Sequence, residues 1–370
     1  MLHIYSKRFL IRVIAKSIFL FFGLHYTWLC YYSYISANSH QESLVVLELD
    51  SNHISQENRI TSHISQTNWT TSHTYQTNSI TSQDYRVNVS TQISAFPRCE
   101  RSVFLLIVVF SAPKNFEHRS IIRSTWAEII DKDPDITNII IKGSYTGKSL
   151  VKTMFLLGQT DEKTKNIIEI ESEYYNDLVI GSFTDSYGNL TLKTKLGLEW
   201  ARGFCKFEYY LKTDDDIFVY SKGLVKWLWQ LPRERIYTGR CAFNKTVIRT
   251  AGHKWGVSKT DYQKDTYPPY CVGMGYIISS DVFQNMMVIV PTQPWFVLED
   301  VYIGLILEKL KIVPVDNSKY FHIHSDYSWD VCKKKDLLLS LQATPKQMLQ
   351  LHLKFSNLWK CGPVGYYKKV

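Results

Sequence analysis

FEYYLKTDDDIFVY, residues 207–220, runs through aromatic and aliphatic side chains and then sets three consecutive carboxylates, Asp214, Asp215 and Asp216, before a second apolar run. Like charges packed at the end of an otherwise buried strand repel one another and lose hydration, so they need a cation or a set of donors to offset that cost. In an open α/β sheet, ligands bind beyond the carboxyl ends of the strands, and these aspartates fall at such an end. The segment therefore reads as a buried strand delivering acids to a ligand site. A solvated acidic turn is the competing reading for this triplet taken alone.

The surrounding sequence agrees with the first reading. SVFLLIVVF (102–110) is a continuous β-branched and aromatic run, as in a parallel strand covered on both faces. ITNIIIKGSY (136–145) reads as a second strand, DEKTKNIIEIESEYY (161–175) as a helix and DLVIGSF (177–183) as a third strand. NLTLKTKLGLEWARGF (189–204) has apolar residues at helical spacing. Strands alternating with helices predict an α/β domain with a mostly parallel, Rossmann-like sheet.

Upstream, Lys7, Arg8, Arg12 and Lys16 precede SIFLFFGLHYTWLCYYSYI (17–35). That run is close to the roughly 20 apolar residues that cross a bilayer, and it is longer than a signal-peptide core. Positive charge before it predicts a cytosolic tail at 1–16, a transmembrane signal anchor at 17–35 and everything later on the lumenal side. A ten-residue repeat starting at Thr61, Thr71 and Thr81 is rich in Ser, Thr, Asn and Gln. Its few apolar side chains do not offset the entropy of ordering it, so 36–98 is expected to be a disordered stem before a lumenal domain at 99–370.

Composition narrows the function. The net charge is +9, but the basic residues are scattered and no nucleic-acid-binding signature accompanies them, so a nucleic-acid partner is not expected. Asn68, Asn88, Asn189 and Asn244 each open an N-x-[ST] sequon, which is usable only in a secretory compartment. Of the seven cysteines, Cys30 lies in the anchor; Cys99, Cys205, Cys241, Cys271, Cys332 and Cys361 are expected to form disulfides whose pairing the spacing does not choose. No C-x-x-C pair suggests a zinc site.

Carboxylate oxygens at Asp-x-Asp spacing suit a hard divalent cation, with the middle residue turned aside. Such a metal suits a diphosphate, whose oxygens it bridges. The Gly and distal Glu of an EF-hand are missing from their positions. EDVYIG (299–304) opens a helical run, where acids favour the macrodipole and a base could also be mounted. YPPYCVGMGYIIS (267–279) contains Gly273 and Gly275, where the absence of a side chain would let a sugar approach the backbone. FHIHSD (321–326) offers His322 or His324 as a further ligand. Trp255, Trp295 and Phe296 could pack on sugar faces and Trp126 could serve as a stacking platform, but core packing is the expectation for each.

RSIIRSTW (119–126), FTDSYGNLTLKT (183–194), KTDDDIFV (212–219), YPPYCVGMGYIIS and EDVYIG, in this order, resemble the β1,3-galactosyltransferase family of Golgi enzymes, which includes N-acetylglucosaminyltransferases. The resemblance covers roughly 102–310. It implies a GT-A-type, inverting, Mn²⁺-dependent transferase that uses a UDP-sugar and a glycan acceptor on glycoprotein or glycolipid. It also implies a single-pass type II Golgi membrane protein. Carried onto this sequence, it implies metal binding by Asp214 and Asp216, to which FHIHSD could add His322 or His324. Donor binding would fall to Arg119, Arg123, Asp214, Asp215 and Lys193. Asp300 would be the base, and Glu299, Gly273 and Gly275 would line the substrate pocket. Met274 stands where the family commonly has another glycine. A lumenal glycan-binding protein without turnover is the rival expectation. A metal hydrolase would need further clustered ligands, which the sequence does not offer.

Overall fold

A computed structural model of the chain describes residues 97–99, 102–128, 136, 150–322, 331–334, 336–341 and 343–356. The expected anchor, the repeats and sequons Asn68 and Asn88 lie outside these residues, as does His324. Among the described residues no helix is long and apolar enough to cross a membrane.

The central strand is β1 (Val103–Phe110), buried along its whole length. Its side chains divide between two cores: Leu105, Ile107 and Val109 join one hydrophobic cluster, and Leu106, Val108 and Phe110 join the other. A continuous apolar run is required because the strand has no solvent face. The first core is completed by α1 (Phe116–Ser124), α2 (Glu162–Tyr175), α4 (Ser221–Trp229) and α7 (Pro345–Ser356). The second is completed by α3 (Leu190–Phe204), α5 (Ser280–Ile289) and α6 (Glu299–Lys309). Helices thus cover both faces of one sheet.

That sheet has the order β3-β2-β1-β4-β7-β6-β8, with β2 at Val151–Gln159, β3 at Leu178–Thr184, β4 at Phe207–Asp214, β6 at Tyr237–Ala242, β7 at Tyr270–Ser279 and β8 at Val315–Asp316. β1, β2, β3 and β4 are mutually parallel, while β7 runs antiparallel to β4 and β6. The mostly parallel α/β reading therefore holds, with one correction. The strand beside β1 is β2, starting at Val151. The stretch expected to be that strand, 136–145, is outside the described residues except for Ile136, which is helical. β2 is half-exposed at Val151, Lys152 and Thr153 and buried from Met154 to Gly158, so its apolar signal is short and starts late.

A small second sheet, β5-β10-β9, follows the aspartates: β5 is Phe218–Val219, β9 Phe321–His322 and β10 Leu339–Ser340. Two disulfides are described. Cys99–Cys205 ties the segment before β1 to the end of α3, and Cys241–Cys271 joins β6 to β7. Cys332 is disulfide-bonded as well. The first spans 106 residues, and closing a loop of that size restricts the unfolded chain by about 4–5 kcal/mol in the chain-entropy account.

Candidate active site

The parallel register of β1 and β4 sets Phe110 opposite Asp214, so both strands end together. Beyond that point the chain turns sharply, with the Asp215 amide donating to the Phe110 carbonyl at 3.0 Å. The three aspartates then part company. Asp215 is buried and turned inward, its Oδ2 accepting from Ser111 Oγ at 2.7 Å and Asn115 Nδ2 at 2.9 Å. Asp214 Oδ1 accepts from Lys212 Nζ at 2.8 Å. Asp216 meets no side-chain donor among the described residues. Its burial, with Asp214 and Asp215 close by, pushes its carboxyl up to about 6.

Lys212 organises the neighbourhood. In a strand it points the same way as Asp214, two residues on. Its ammonium is almost wholly buried and also donates to the Gly273 carbonyl at 2.6 Å and to Glu299 Oε1 at 2.8 Å. Burial alone would favour the neutral amine. Asp214 and Glu299 more than offset that, so Lys212 holds its proton more firmly than an ordinary lysine. Burial pushes Glu299 up to about 7, against the pull of Lys212.

Asp300 follows at the start of α6. Its Oδ1 accepts from the Val301 amide at 2.8 Å and its Oδ2 from the Gly273 amide at 3.2 Å. Burial raises its pKa above the ordinary aspartate value, partly countered by those amides and Lys212. Gly273 thus touches both acids of the pair, its carbonyl through Lys212 and its amide directly. β7, antiparallel to β4, is the element that connects the aspartate turn to α6.

The remaining expected site residues have the following surroundings. A Cβ on Gly273 would lie 2.5 Å from Glu299 Oε1, and one on Gly275 2.5 Å from Leu339 Cδ2. These glycines make room for the protein's own side chains, Glu299 and Leu339. Glu299 is buried and faces Lys212, Thr194 and Tyr276. His322 Nε2 contacts the Lys319 carbonyl at 2.9 Å, and no group of three or more His, Cys, Asp or Glu residues that could hold a metal forms among the described residues.

Arg119 and Arg123 lie on α1 and are paired to acids outside that helix. Arg119 is completely buried, forked onto Glu171 at 2.8 and 2.7 Å, and reaches Ser111 Oγ at 2.9 Å. It touches the aspartates only through that hydroxyl. Arg123 is bidentate to Asp177 at 2.8 Å, bridges to Glu171, and stacks between Phe155 and Tyr175. These contacts place it in an ion cluster with Asp177 and Glu171. Lys193 is buried, donating to Asp185 at 2.7 Å and to the Ser111 carbonyl at 3.0 Å.

Trp126 and Phe296 are core residues, but Trp255 and Trp295 are exposed, against expectation. Asn189 donates its amide to the Thr184 carbonyl and its sequon hydroxyl, Thr191, is buried on the Phe296 carbonyl, whereas Asn244 stands exposed. Sequence reasoning missed Lys212, Ser111, Asn115 and Asp185. Each sits in or just beyond a strand of the sheet, and position at a strand's carboxyl end was the available signal.

The sequence model of the family described as Galactosyltransferase matches residues 117–318, which include every carboxylate of this site. The chain belongs to the galactosyltransferase family. This galactosyltransferase-family chain is a hexosyltransferase, and its relatives agree. Beta-1,3-galactosyltransferase 1 of Homo sapiens is 35% identical over 257 residues, 68% of this chain and 74% of that protein. Beta-1,3-galactosyltransferase 5 of Pan paniscus is 38% identical over 213 residues, 56% of this chain and 66% of that protein. Among solved structures the likeness is loose: the bifunctional glycosyltransferase WbbM is 11% identical with a TM-score of 0.36, covering 71% of this chain and 52% of that one.

Proposed function

We propose that this protein transfers galactose or an N-acetylhexosamine from a UDP-sugar to a glycan acceptor on glycoprotein or glycolipid, forming a β1,3 linkage with inversion. The observation that carries the reading is the juxtaposition of the aspartate turn after β4 with Asp300 on α6, both fastened to Lys212 and Gly273.

The donor set fits a divalent metal. Asp216 offers a carboxylate with no competing side-chain donor among the described residues, and burial together with the neighbouring Asp214 and Asp215 raises its pKa, so a cation there would offset both. We assign Mn²⁺ to Asp216, with Asp214 contributing through the oxygen that Lys212 does not use. When bound, the metal would neutralise the diphosphate that departs as UDP. Asp215, held by Ser111 and Asn115, fixes the turn that aims its neighbours. Arg119 holds Ser111 and thereby supports Asp215 from behind.

In the transfer, the acceptor hydroxyl oxygen forms a bond to the anomeric carbon as that carbon's bond to the diphosphate oxygen breaks. The hydroxyl proton passes to Asp300, and the bonding pair leaves with UDP. A buried carboxylate with a raised pKa is a better proton acceptor than a solvated one. Glu299 is screened from this step by Lys212 and acts in holding that lysine.

The compartment belongs to the same proposal. Cys99–Cys205 and Cys241–Cys271 suit an oxidising lumen, and Asn244 is accessible to glycosylation. With the basic tail and apolar run at 17–35, these support a type II Golgi membrane protein. UDP release by the purified full chain, across UDP-sugars and simple glycan acceptors with Mn²⁺ or EDTA, tests the function. Metal-dependent release stimulated by one acceptor is expected. Mn²⁺-dependent UDP binding with no transfer to any acceptor would instead favour a binding protein of the same fold.

A further inference from the structure

Between β6 and β7 the chain makes a long excursion, 243–269, without regular secondary structure. Segments of that length inside a compact domain are usually functional. This one is closed at its base by the Cys241–Cys271 disulfide and wired internally. Arg249 donates to the carbonyls of Val257, Ser258 and Lys264, and Thr246 bridges to Thr266. Its tip is also ordered, the Gly256 amide donating to the His253 carbonyl at 2.8 Å.

That rigid mount presents Trp255, a large aromatic that is 49% exposed. Its Nε1 donates to the hydroxyl of Tyr187, itself 47% exposed, at 2.9 Å. Tyr187 comes from a different connection, the turn that leads into α3. The first turns of α3 are pinned to the segment entering the acid pair: Thr191 Oγ1 donates to the Phe296 carbonyl at 2.6 Å and Thr194 Oγ1 to Glu299 at 3.4 Å. Two independent loops therefore meet at one aromatic pair, and the helix that follows Tyr187 is fastened to the segment carrying the acid pair. The fields of Asp300, Glu299 and Asp214 reach the Tyr187 hydroxyl, although burial is the larger cause of its raised pKa. The Lys254 ammonium lies 4.6 Å from the Tyr187 ring centroid and 5.7 Å from that of Trp255.

An exposed indole costs hydration that the fold does not recover, yet here two loops fix its orientation. A rigid aromatic face with a hydrogen-bonding rim suits a pyranose ring, whose axial C–H groups pack on the ring while its hydroxyls meet a cation. The contacts of α3 thus tie a sugar platform to the element that carries the base.

We propose that Trp255 and Tyr187, with Lys254 at their rim, form the acceptor subsite and seat the sugar that carries the attacking hydroxyl. The inference rests on the transferase reading above and adds which residues select the acceptor. Trp255 binds substrate and takes no part in moving the proton.

The test compares Trp255→Ala, Trp255→Phe and the unaltered full chain by acceptor KM, UDP affinity and Mn²⁺-dependent UDP release without acceptor. Trp255→Ala is expected to raise the acceptor KM by roughly fivefold or more, the scale of one lost aromatic contact. Trp255→Phe should restore much of that affinity, and UDP binding and acceptor-free release should match the unaltered protein. An unchanged acceptor KM overturns the proposal, as does a UDP affinity that falls in parallel. If the unaltered protein transfers to no acceptor, the functional reading fails by itself and the platform is read by fluorescence. Quenching of the indole signal by a glycan panel that disappears in Trp255→Phe supports it, and no quenching by any glycan overturns it.

Discussion

Two clusters of buried charge lie on opposite sides of Ser111, and they are built to different rules. Around α1, Arg119 and Arg123 face Glu171 and Asp177, so two cations meet two anions and aromatic rings cover the rest. Beyond β4, Lys212 is the one cation in hydrogen-bonding contact with the acids of Asp214–Asp216 and Glu299–Asp300 among the described residues. The first cluster is complete without any ligand; the second keeps unneutralised carboxylate. Burying charge is tolerable when partners are present, so a matched set marks architecture and a surplus marks a place where something else must bind.

Breaking each cluster in turn should expose that difference. Asp300→Asn is expected to lower transfer by about a hundredfold to ten-thousandfold, the usual contribution of a general base, with UDP affinity preserved. Steady-state rates beside a UDP titration check this, and a fully active variant would remove Asp300 from the reaction. Glu171→Ala strands Arg119 and leaves Arg123 half-paired, and removal of one partner from a buried ion pair costs about 3–5 kcal/mol. Denaturant unfolding should show that loss, whereas Asp300→Asn should unfold at nearly the unaltered midpoint. Asp216→Ala should weaken UDP binding in Mn²⁺ by about tenfold or more, on the scale of one lost charge-assisted contact, and leave binding in EDTA unchanged. Equal affinities of the two proteins in Mn²⁺ would take the metal away from Asp216.

The smallest effect concerns acid. Burial would raise the Glu171 pKa, but Arg119 and Arg123 hold it below the ordinary glutamate value. A carboxylate depressed in the folded state contributes stability above its unfolded pKa, and that stability is lost as pH falls through the folded value. The chain should therefore lose stability below about pH 4.5, with the loss blunted in Glu171→Gln. Thermal unfolding between pH 3 and 6 reads this, and parallel curves for the two proteins would assign the acid response elsewhere.

Much of the fold was legible because β1 and β4 carry their burial in consecutive residues. A strand with no exposed face needs an unbroken apolar run, and SVFLLIVVF has one. β2 was missed because its first three residues are half-exposed and Gly158 interrupts its end. The antiparallel placement of β6 and β7 is a matter of partner choice, which no local pattern states. The site divides in the same way. Three adjacent aspartates announce themselves, but Lys212 meets Glu299 across 87 residues and Arg119 meets Glu171 across 52. Gly273 was recognisable as a position needing a bare backbone. Which side chain would collide there depends on a helix that starts much later in the chain.

The sheet order also sets a timetable for synthesis. β4, which carries the aspartates, pairs with β1 on one edge and with β7 on the other. The first partner precedes it in the chain, but the second ends at Ser279, so the growing polypeptide carries β4 with an open edge while everything up to β7 is still being made. An unpaired strand edge invites pairing with other chains. Maturation of this protein therefore has a vulnerable interval that closes only when β7 docks, bringing Gly273 to Lys212 and completing the site in the same step.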